Sequence, residues 1–77
     1  MRVVGEINRP ECKITIFHWN EKYLVKFEIG MYEQTYKIDE YEVADEEAVK
    51  ALINDDFVAK IIARFDAMHN DWGVLIS

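Results

Sequence analysis

The chain has a single cysteine, a single proline and only 3 glycines among its 77 residues. One cysteine, Cys12, excludes a disulfide-stabilised scaffold, and scattered glycines exclude a glycine-rich phosphate-binding loop. The longest unbroken apolar runs, such as Val74-Leu75-Ile76, have three residues, far below the ~20 residues of a membrane-spanning helix. No basic segment followed by an apolar stretch opens the chain, so we expect no signal peptide. These absences predict a soluble, cytoplasmic protein with no membrane partner.

Apolar residues, by contrast, are abundant. Hydrophobic residues make up 51% of the chain and aromatic residues 13%, a composition typical of folded rather than disordered proteins. At this length we expect one domain, residues 1–77. A domain this small buries only about 60–65% of the surface that its unfolded chain exposes. Association with another chain would therefore add burial that the domain lacks on its own.

Basic residues are scarce, with 9 Lys and Arg against 15 Asp and Glu, for a net charge of -6. The deficit lies in the second half of the chain. Residues 1–38 hold 6 basic and 5 acidic side chains, whereas residues 39–77 hold 3 basic and 10 acidic ones. Phosphate contacts need a basic surface, so this balance disfavours nucleic acid as a partner.

Residues 11–38 alternate between apolar and polar side chains, which predicts β-strands. The first two strands meet at Asn20-Glu21, which we interpret as a two-residue hairpin loop because Asn tolerates positive φ. This loop determines the register, and the register places opposite charges and matching apolar groups opposite each other. The predicted pairs are Trp19–Lys22, Phe17–Leu24, Thr15–Lys26, Lys13–Glu28, His18–Tyr23, Ile16–Val25, Ile14–Phe27 and Cys12–Ile29.

A third strand follows a second turn at Gly30-Met31, where glycine in the first position suits a type II′ turn. This register sets Glu28 opposite Glu33, an unfavourable pair that a longer loop or a bulge near Gly30 would relieve. Residues 2–7 form either a fourth strand beside the first or a loosely ordered terminus. The Asn8-Arg9-Pro10 segment separates them from the next strand.

From Asp45 onward the pattern becomes helical, with Asp45 as a good N-cap residue. Two apolar stripes are present, but they lie roughly 150° apart around the helix axis, at 100° per residue. We therefore predict two helices, about residues 45–53 and 56–70, while one continuous helix that buries different faces at its two ends is the alternative. Asn54 suits the left-handed position after the first helix, and Asp55 the cap of the second. Gly73 is expected to end the second helix, leaving residues 74–76 as an apolar tail.

These elements predict an α+β fold, an antiparallel meander of three or four strands with one face covered by C-terminal helices. The apolar face of the sheet and the apolar stripe of the second helix each need a partner, and each is the simplest partner for the other.

Residues that could bind a metal ion or act as a nucleophile are few, and their spacing does not bring them together. Cys12 and His18 share one strand face but lie about 20 Å apart, too far to share an ion. Asp66 and His69 have a helical i, i+3 spacing, but no second motif completes a metal site. A cysteine that points into the core is normally inert. We therefore predict no metal, no cofactor and no enzymatic activity.

The most informative surface is the sheet face opposite the apolar one, where lysines and exposed apolar side chains alternate. Such a face could dock a protein, because clustered exposed aromatic residues often mark interfaces. It could also bind single-stranded nucleic acid or another anionic ligand through stacking and charge. In the third interpretation, Phe17 and Leu24 form a small satellite cluster and the lysines are solvated. The candidate residues are Lys13, Phe17, Trp19, Lys22, Leu24, Lys26 and Lys37.

The leading functional hypothesis is a small non-enzymatic protein-interaction module that forms a homodimer. It rests on the small size, the apolar tail after Gly73 and the patch around Trp19. Binding of single-stranded nucleic acid or another anionic ligand on the lysine-rich face is the alternative.

Overall fold

A computed structural model describes residues 1–77 and has the predicted α+β architecture. Four antiparallel strands form one sheet in the order β1-β2-β3-β4, so residues 2–8 are a strand and the meander has its four-stranded form. Two helices follow the sheet. The elements are β1 (Arg2–Asn8), β2 (Lys13–Trp19), β3 (Lys22–Ile29), β4 (Tyr32–Asp39), α1 (Glu46–Leu52) and α2 (Asp55–Ile76), with a short 3₁₀ turn at Glu40–Glu42.

The two tight hairpins determine the register of β2, β3 and β4. Asn20 (φ 54°) and Glu21 (φ 63°) both adopt the left-handed conformation of a type I′ turn. The pairing of β2 with β3 matches the predicted register from Lys13–Glu28 to Trp19–Lys22. In the second turn only Gly30 has positive φ, 57°, as a type II′ turn requires.

No bulge separates Glu28 from Glu33, which lie directly opposite each other. Lys26 Nζ instead lies 3.3 Å from a carboxylate oxygen of Glu33. This diagonal ion pair offsets the repulsion between the two glutamates, so the turn keeps its two-residue form.

The two edges of the sheet differ. The register of β1 against β2 shifts between Val3 and Gly5, which marks a bulge on the β1 edge. The opposite edge, β4, pairs with β3 without interruption from Tyr32 to Asp39. One edge is therefore irregular and the other is a regular eight-residue strand.

Two helices are present, and each begins at a side-chain cap. Asp45 accepts a hydrogen bond from the backbone N–H of Ala48 at 3.0 Å, as predicted. The second cap is Asn54, whose side chain accepts from the N–H of Phe57 at 2.8 Å. Asn54 is extended rather than left-handed, so the predicted roles of Asn54 and Asp55 were wrong. The capping bond satisfies the N–H of Phe57, which has no partner within the helix. A left-handed Asn54 that ended α1 would leave this N–H unpaired.

Helix α2 does not stop at Gly73 but runs on to Ile76. A glycine ends a helix when it adopts positive φ, and Gly73 does not. The expected apolar tail, residues 74–76, is therefore the last turn of α2. Neither helix is both long and apolar enough to cross a membrane.

The core lies between the helices and one face of the sheet, which we call the inner face. The break at Ile53 and Asn54 turns both apolar stripes toward this face, although Leu52 of α1 and Trp72 of α2 remain half-exposed. Burying each of the larger side chains contributes about 1.5–3 kcal/mol. The buried cluster comprises Cys12, Ile14, Ile16, Tyr23, Val25, Phe27, Val49, Ile53, Val58, Ile61 and Phe65.

Candidate functional site

The register places all of the predicted patch residues on the outer face of the sheet, opposite the helices. Phe17 and Leu24 form one cross-strand row, which Val3 of β1 and Lys37 of β4 extend to the two edges. Trp19 is half-exposed, whereas Leu24 is only 7% exposed and does not belong to the main core cluster. Its burial therefore comes from neighbouring side chains on the same face, as in the interpretation in which Phe17 and Leu24 form a small satellite cluster.

The outer face carries no excess of positive charge. Lys22 lies 3.4 Å from Asp39 and Lys26 3.3 Å from Glu33. Glu6, which pairs with Thr15 across β1 and β2, and Glu28 supply two further carboxylates. Four acidic groups therefore share the face with its four lysines. The sequence pattern showed the lysines without all of their acidic neighbours, because the predicted register did not include Glu6 and the predicted strands ended before Asp39.

Lys13 and Lys37 are the lysines of this face that make no ion pair within the chain. Lys13 lies in β2 near one end of the sheet, and Lys37 lies on the open β4 edge. Lys37 is exposed, so its charge is available to a group outside the chain.

A groove of about 990 Å³ lies on the other side of the molecule, between the β3–β4 turn and the C-terminal half of α2. We call it the turn groove. Its lining residues are mostly hydrophobic, and the charged ones are acidic, Asp66 and Asp71. Met31 is 99% exposed, Trp72 50% and Leu75 74%. The groove therefore combines uncovered apolar side chains with negative charge.

The overhang of α2 explains why these side chains are uncovered. At about 1.5 Å per residue α2 is about 33 Å long, whereas an eight-residue strand spans about 26 Å. The apolar stripe that packs on the sheet at Ile61 and Phe65 continues through Trp72, Leu75 and Ile76 at 100° per residue. The last turns keep the inward-facing pattern but have no sheet beneath them.

Tyr32 of β4 contacts His69 of α2 at the point where the helix passes the end of the sheet. The Tyr32 hydroxyl lies 3.0 Å from Nδ1 of His69, and the two rings meet edge to face at 5.8 Å. Nearer the N-terminus of α2, the Gln34 amide donates to the carbonyl oxygen of Ile61 at 3.1 Å. These bonds hold α2 along the β4 side of the sheet.

A second, smaller groove of about 230 Å³ lies beside β4 near its other end, and we call it the edge groove. Phe57 packs edge to face against Tyr36 at 5.7 Å and forms part of its wall. Exposed Leu52 and half-buried Ile38 also line it. Lys37 is its only charged lining residue. The register places the Lys37 side chain on the outer face, so the edge groove itself is apolar, whereas the turn groove is apolar with negative charges.

Titratable groups do not converge on a catalytic or metal-binding arrangement. The structure contains no group of three His, Cys, Asp or Glu side chains that could hold a metal ion. Burial raises the pKa of the Cys12 thiol, and Glu11 raises it further, so the thiol is held in its unreactive protonated form. His18 Nε2 lies 2.6 Å from Glu40 at the opposite end of the sheet from the turn groove.

Sequence reasoning missed the Tyr32–His69 and His18–Glu40 contacts because each joins residues far apart in the chain. It also missed Met31 as part of a groove. The signal for the turn groove was present in the sequence, since the helical stripe continues past Gly73 to Leu75 and Ile76. The assumption that Gly73 ends the helix concealed it.

Comparison with known proteins found no matching family model, no matching curated protein and no matching solved structure.

Proposed function

We propose that the chain is a small non-enzymatic protein-interaction module that binds a second copy of itself. The observation that carries this proposal is the overhanging end of α2, whose apolar stripe continues past the sheet with nothing covering it. Apolar surface of this kind is what an interface buries. A cytoplasmic location belongs to the same proposal, because the lone Cys12 thiol is free and buried.

The uncovered area is close to what a dimer needs. The exposed fractions of Met31, Trp72, Leu75 and Ile76 amount to roughly 550 Å² in each copy, taking the 150–250 Å² that a large side chain buries. A stable interface buries about 800 Å² per partner. These four side chains would supply most of that area.

The two grooves differ in a way that suits a second copy as the occupant. The turn groove is apolar with Asp66 and Asp71 at its rim, whereas the edge groove is apolar and carries no carboxylate. An isologous dimer that sets the turn groove of one copy against the edge groove of the other covers both apolar surfaces twice. Pairing one turn groove with another would bring carboxylates together, which costs affinity.

Sedimentation equilibrium and light scattering over ~1–200 μM test this proposal. The wild-type chain is expected to be dimeric at the upper end of the range. Leu75→Ser removes an exposed side chain of the stripe, and we expect it to weaken the dimer at least tenfold, as one buried leucine is worth about 1.5–3 kcal/mol. Val74→Ser is the matched control, because Val74 is 80% exposed on the opposite side of α2 and its loss should leave the dimer unchanged.

A wild-type chain that stays monomeric at 200 μM would overturn the proposal. So would equal effects of Leu75→Ser and Val74→Ser, because the interface would then lie elsewhere. Circular dichroism of each variant shows whether the fold is retained.

Binding of nucleic acid or another anionic ligand on the outer face has less support, because carboxylates match the lysines there. Titration with a labelled single-stranded oligonucleotide at low salt tests it. Salt-dependent binding that is lost in Lys37→Ala and Trp19→Ala would make this the preferred function.

A further inference from the structure

The β4 edge is open and regular, unlike the bulged β1 edge. Its residues Glu33, Thr35 and Lys37 are exposed, and no proline or glycine interrupts the strand. An unprotected edge of this kind presents unpaired backbone groups to another strand. Since the proposed function makes a second copy the partner, the β4 edge of that copy is the strand available to pair with it.

The turn at Gly30-Met31 decides which backbone groups of β4 face outward. A two-residue turn makes its flanking residues, Ile29 and Tyr32, a hydrogen-bonded pair. Hydrogen-bonded and non-hydrogen-bonded pairs then alternate along the strand. The N–H and C=O groups of Glu33, Thr35 and Lys37 therefore point away from β3, toward the open edge.

Antiparallel pairing of two β4 strands about a two-fold axis at Thr35 matches both backbone and charge. Each Thr35 lies opposite the other Thr35, and each Glu33 lies opposite Lys37 of the second copy. All of these residues present their backbone groups outward, so every opposed pair exchanges hydrogen bonds. The Glu33 and Lys37 side chains meet on the outer face as opposite charges.

The neighbouring registers fit less well. An axis at Glu33 or at Lys37 places that residue opposite its own copy, so like charges meet. An axis at Tyr36 places Glu33 opposite Asp39, again with like charges, and an axis at Gln34 leaves both Glu33 and Lys37 without a charged partner. Like charges directly opposite each other destabilise a strand pair, so the axis at Thr35 is the favoured one.

The same register brings the two grooves together. Tyr32, where α2 leaves the sheet, lies opposite Ile38 of the second copy. Ile38 lines the edge groove together with Leu52. The overhanging end of α2 in one copy therefore faces the edge groove of the other, which is the groove-to-groove contact of the proposed function.

We propose that two copies of this chain join through antiparallel β4 strands with the two-fold axis at Thr35, forming one continuous eight-stranded sheet. This proposal rests on the self-association proposed above and adds its geometry. Reciprocal Glu33–Lys37 ion pairs select the register, and the overhanging α2 ends cover the apolar grooves on the inner side.

Charge reversal across the axis tests the register. Glu33→Lys and Lys37→Glu each place like charges opposite each other twice, so each variant alone is expected to dimerise at least tenfold more weakly than the wild type. An equimolar mixture of the two variants forms a heterodimer in which both pairs are complementary again. Native mass spectrometry measures the heterodimer, which is expected to exceed its statistical share.

The matched controls are Glu6→Lys and Lys13→Glu, which make the same charge changes on β1 and β2 of the same face. Neither control should weaken the dimer, and their mixture should show the statistical share of heterodimer. Thr35→Cys gives an independent readout, because a hydrogen-bonded antiparallel pair sets Cα atoms about 5.5 Å apart, within disulfide range. Mild oxidation should cross-link this variant but not Glu6→Cys.

The outcomes separate the two proposals. A monomeric wild type overturns the self-association itself. A dimeric wild type whose mixed charge variants show no excess of heterodimer, and whose Thr35→Cys variant does not cross-link, keeps the self-association and overturns the β4 pairing.

Discussion

Replacing Gly73 by alanine is expected to stabilise the protein. Gly73 lies inside α2 without positive φ, and an added Cβ would meet no heavy atom within 4 Å. Alanine loses less conformational entropy than glycine when it enters a helix, by roughly 0.5–1 kcal/mol. The sign of the effect depends on the backbone. If Gly73 ended the helix in a left-handed conformation, alanine would instead destabilise the protein by a similar amount.

Gly30 is the matched control for this prediction. It also has no heavy atom within 4 Å of an added Cβ, but its φ is +57°. Alanine at Gly30 should therefore cost about 1 kcal/mol through backbone strain alone. The two substitutions are chemically identical and free of steric clashes, and they differ only in the backbone conformation of the residue replaced.

Thermal and urea unfolding at one fixed protein concentration measure both effects. For a domain of this size 1 kcal/mol corresponds to about 4–8 °C, so Gly73→Ala should raise Tm by about 2–8 °C and Gly30→Ala should lower it. Far-ultraviolet circular dichroism should show no loss of helix in Gly73→Ala. A destabilised Gly73→Ala would mean that α2 ends at Gly73, and the overhanging stripe would then not exist as a helix.

Three other residues give separate predictions. Glu21→Gly should raise the free energy of unfolding by about 1 kcal/mol, since Glu21 has φ 63° and glycine adopts this conformation without strain; a loss of stability in urea would contradict a strained Glu21. Burial, reinforced by Glu46, raises the pKa of Tyr23 above its ordinary 10.0. The folded state therefore favours neutral Tyr23, and the stability it contributes is complete below pH 10 and is lost as the pH rises through the folded pKa. Tyr23→Phe should flatten the fall in the free energy of unfolding between about pH 9 and 11. If the variant and the wild type lose stability equally with pH, ionisation of Tyr23 is not the cause of the fall. Asn54→Ala should cost about 1 kcal/mol by removing the cap on Phe57, whereas Asn54→Asp, measured in the same urea titration, should retain most of the stability.

The β2–β3 hairpin could be predicted in detail because its information is local. A two-residue loop at Asn20-Glu21 sets the register, and side chains such as Lys13 and Glu28 then match across the strands. The second turn was predicted equally well, yet its Glu28–Glu33 conflict was overestimated. The Lys26 side chain reaches diagonally to Glu33 and offsets the repulsion between the two glutamates. Strand pairing alone does not show this contact, because it depends on the conformation of the lysine side chain.

Helix ends were harder to predict because the same residues suit several roles. Asn54 fits a left-handed C-terminal position and an N-cap equally well on local grounds. Its hydrogen bond to Phe57 is made because α2 must turn its stripe toward the sheet. Gly73 has a strong local preference for ending helices, but the pattern of Trp72, Leu75 and Ile76 around it is helical, and the structure follows that pattern.

The strand register placed the candidate residues on the outer face, but it left open whether Leu24 is covered and it gave an incomplete charge balance. Leu24 lies in the middle of a four-stranded sheet, where neighbouring side chains cover it. Two strands alone could not decide between this burial and an exposed patch. The charge balance likewise required β1 and the end of β4, where Glu6 and Asp39 lie.

The difference between the two sheet edges determines how far assembly could proceed. Pairing through β4 uses the regular edge of each copy, and the edges left at the two ends of the joined sheet are both β1. The bulge between Val3 and Gly5 interrupts the backbone pattern there, and such irregular edges resist the addition of further strands. Growth would therefore stop at two copies, giving a closed particle rather than a fibre.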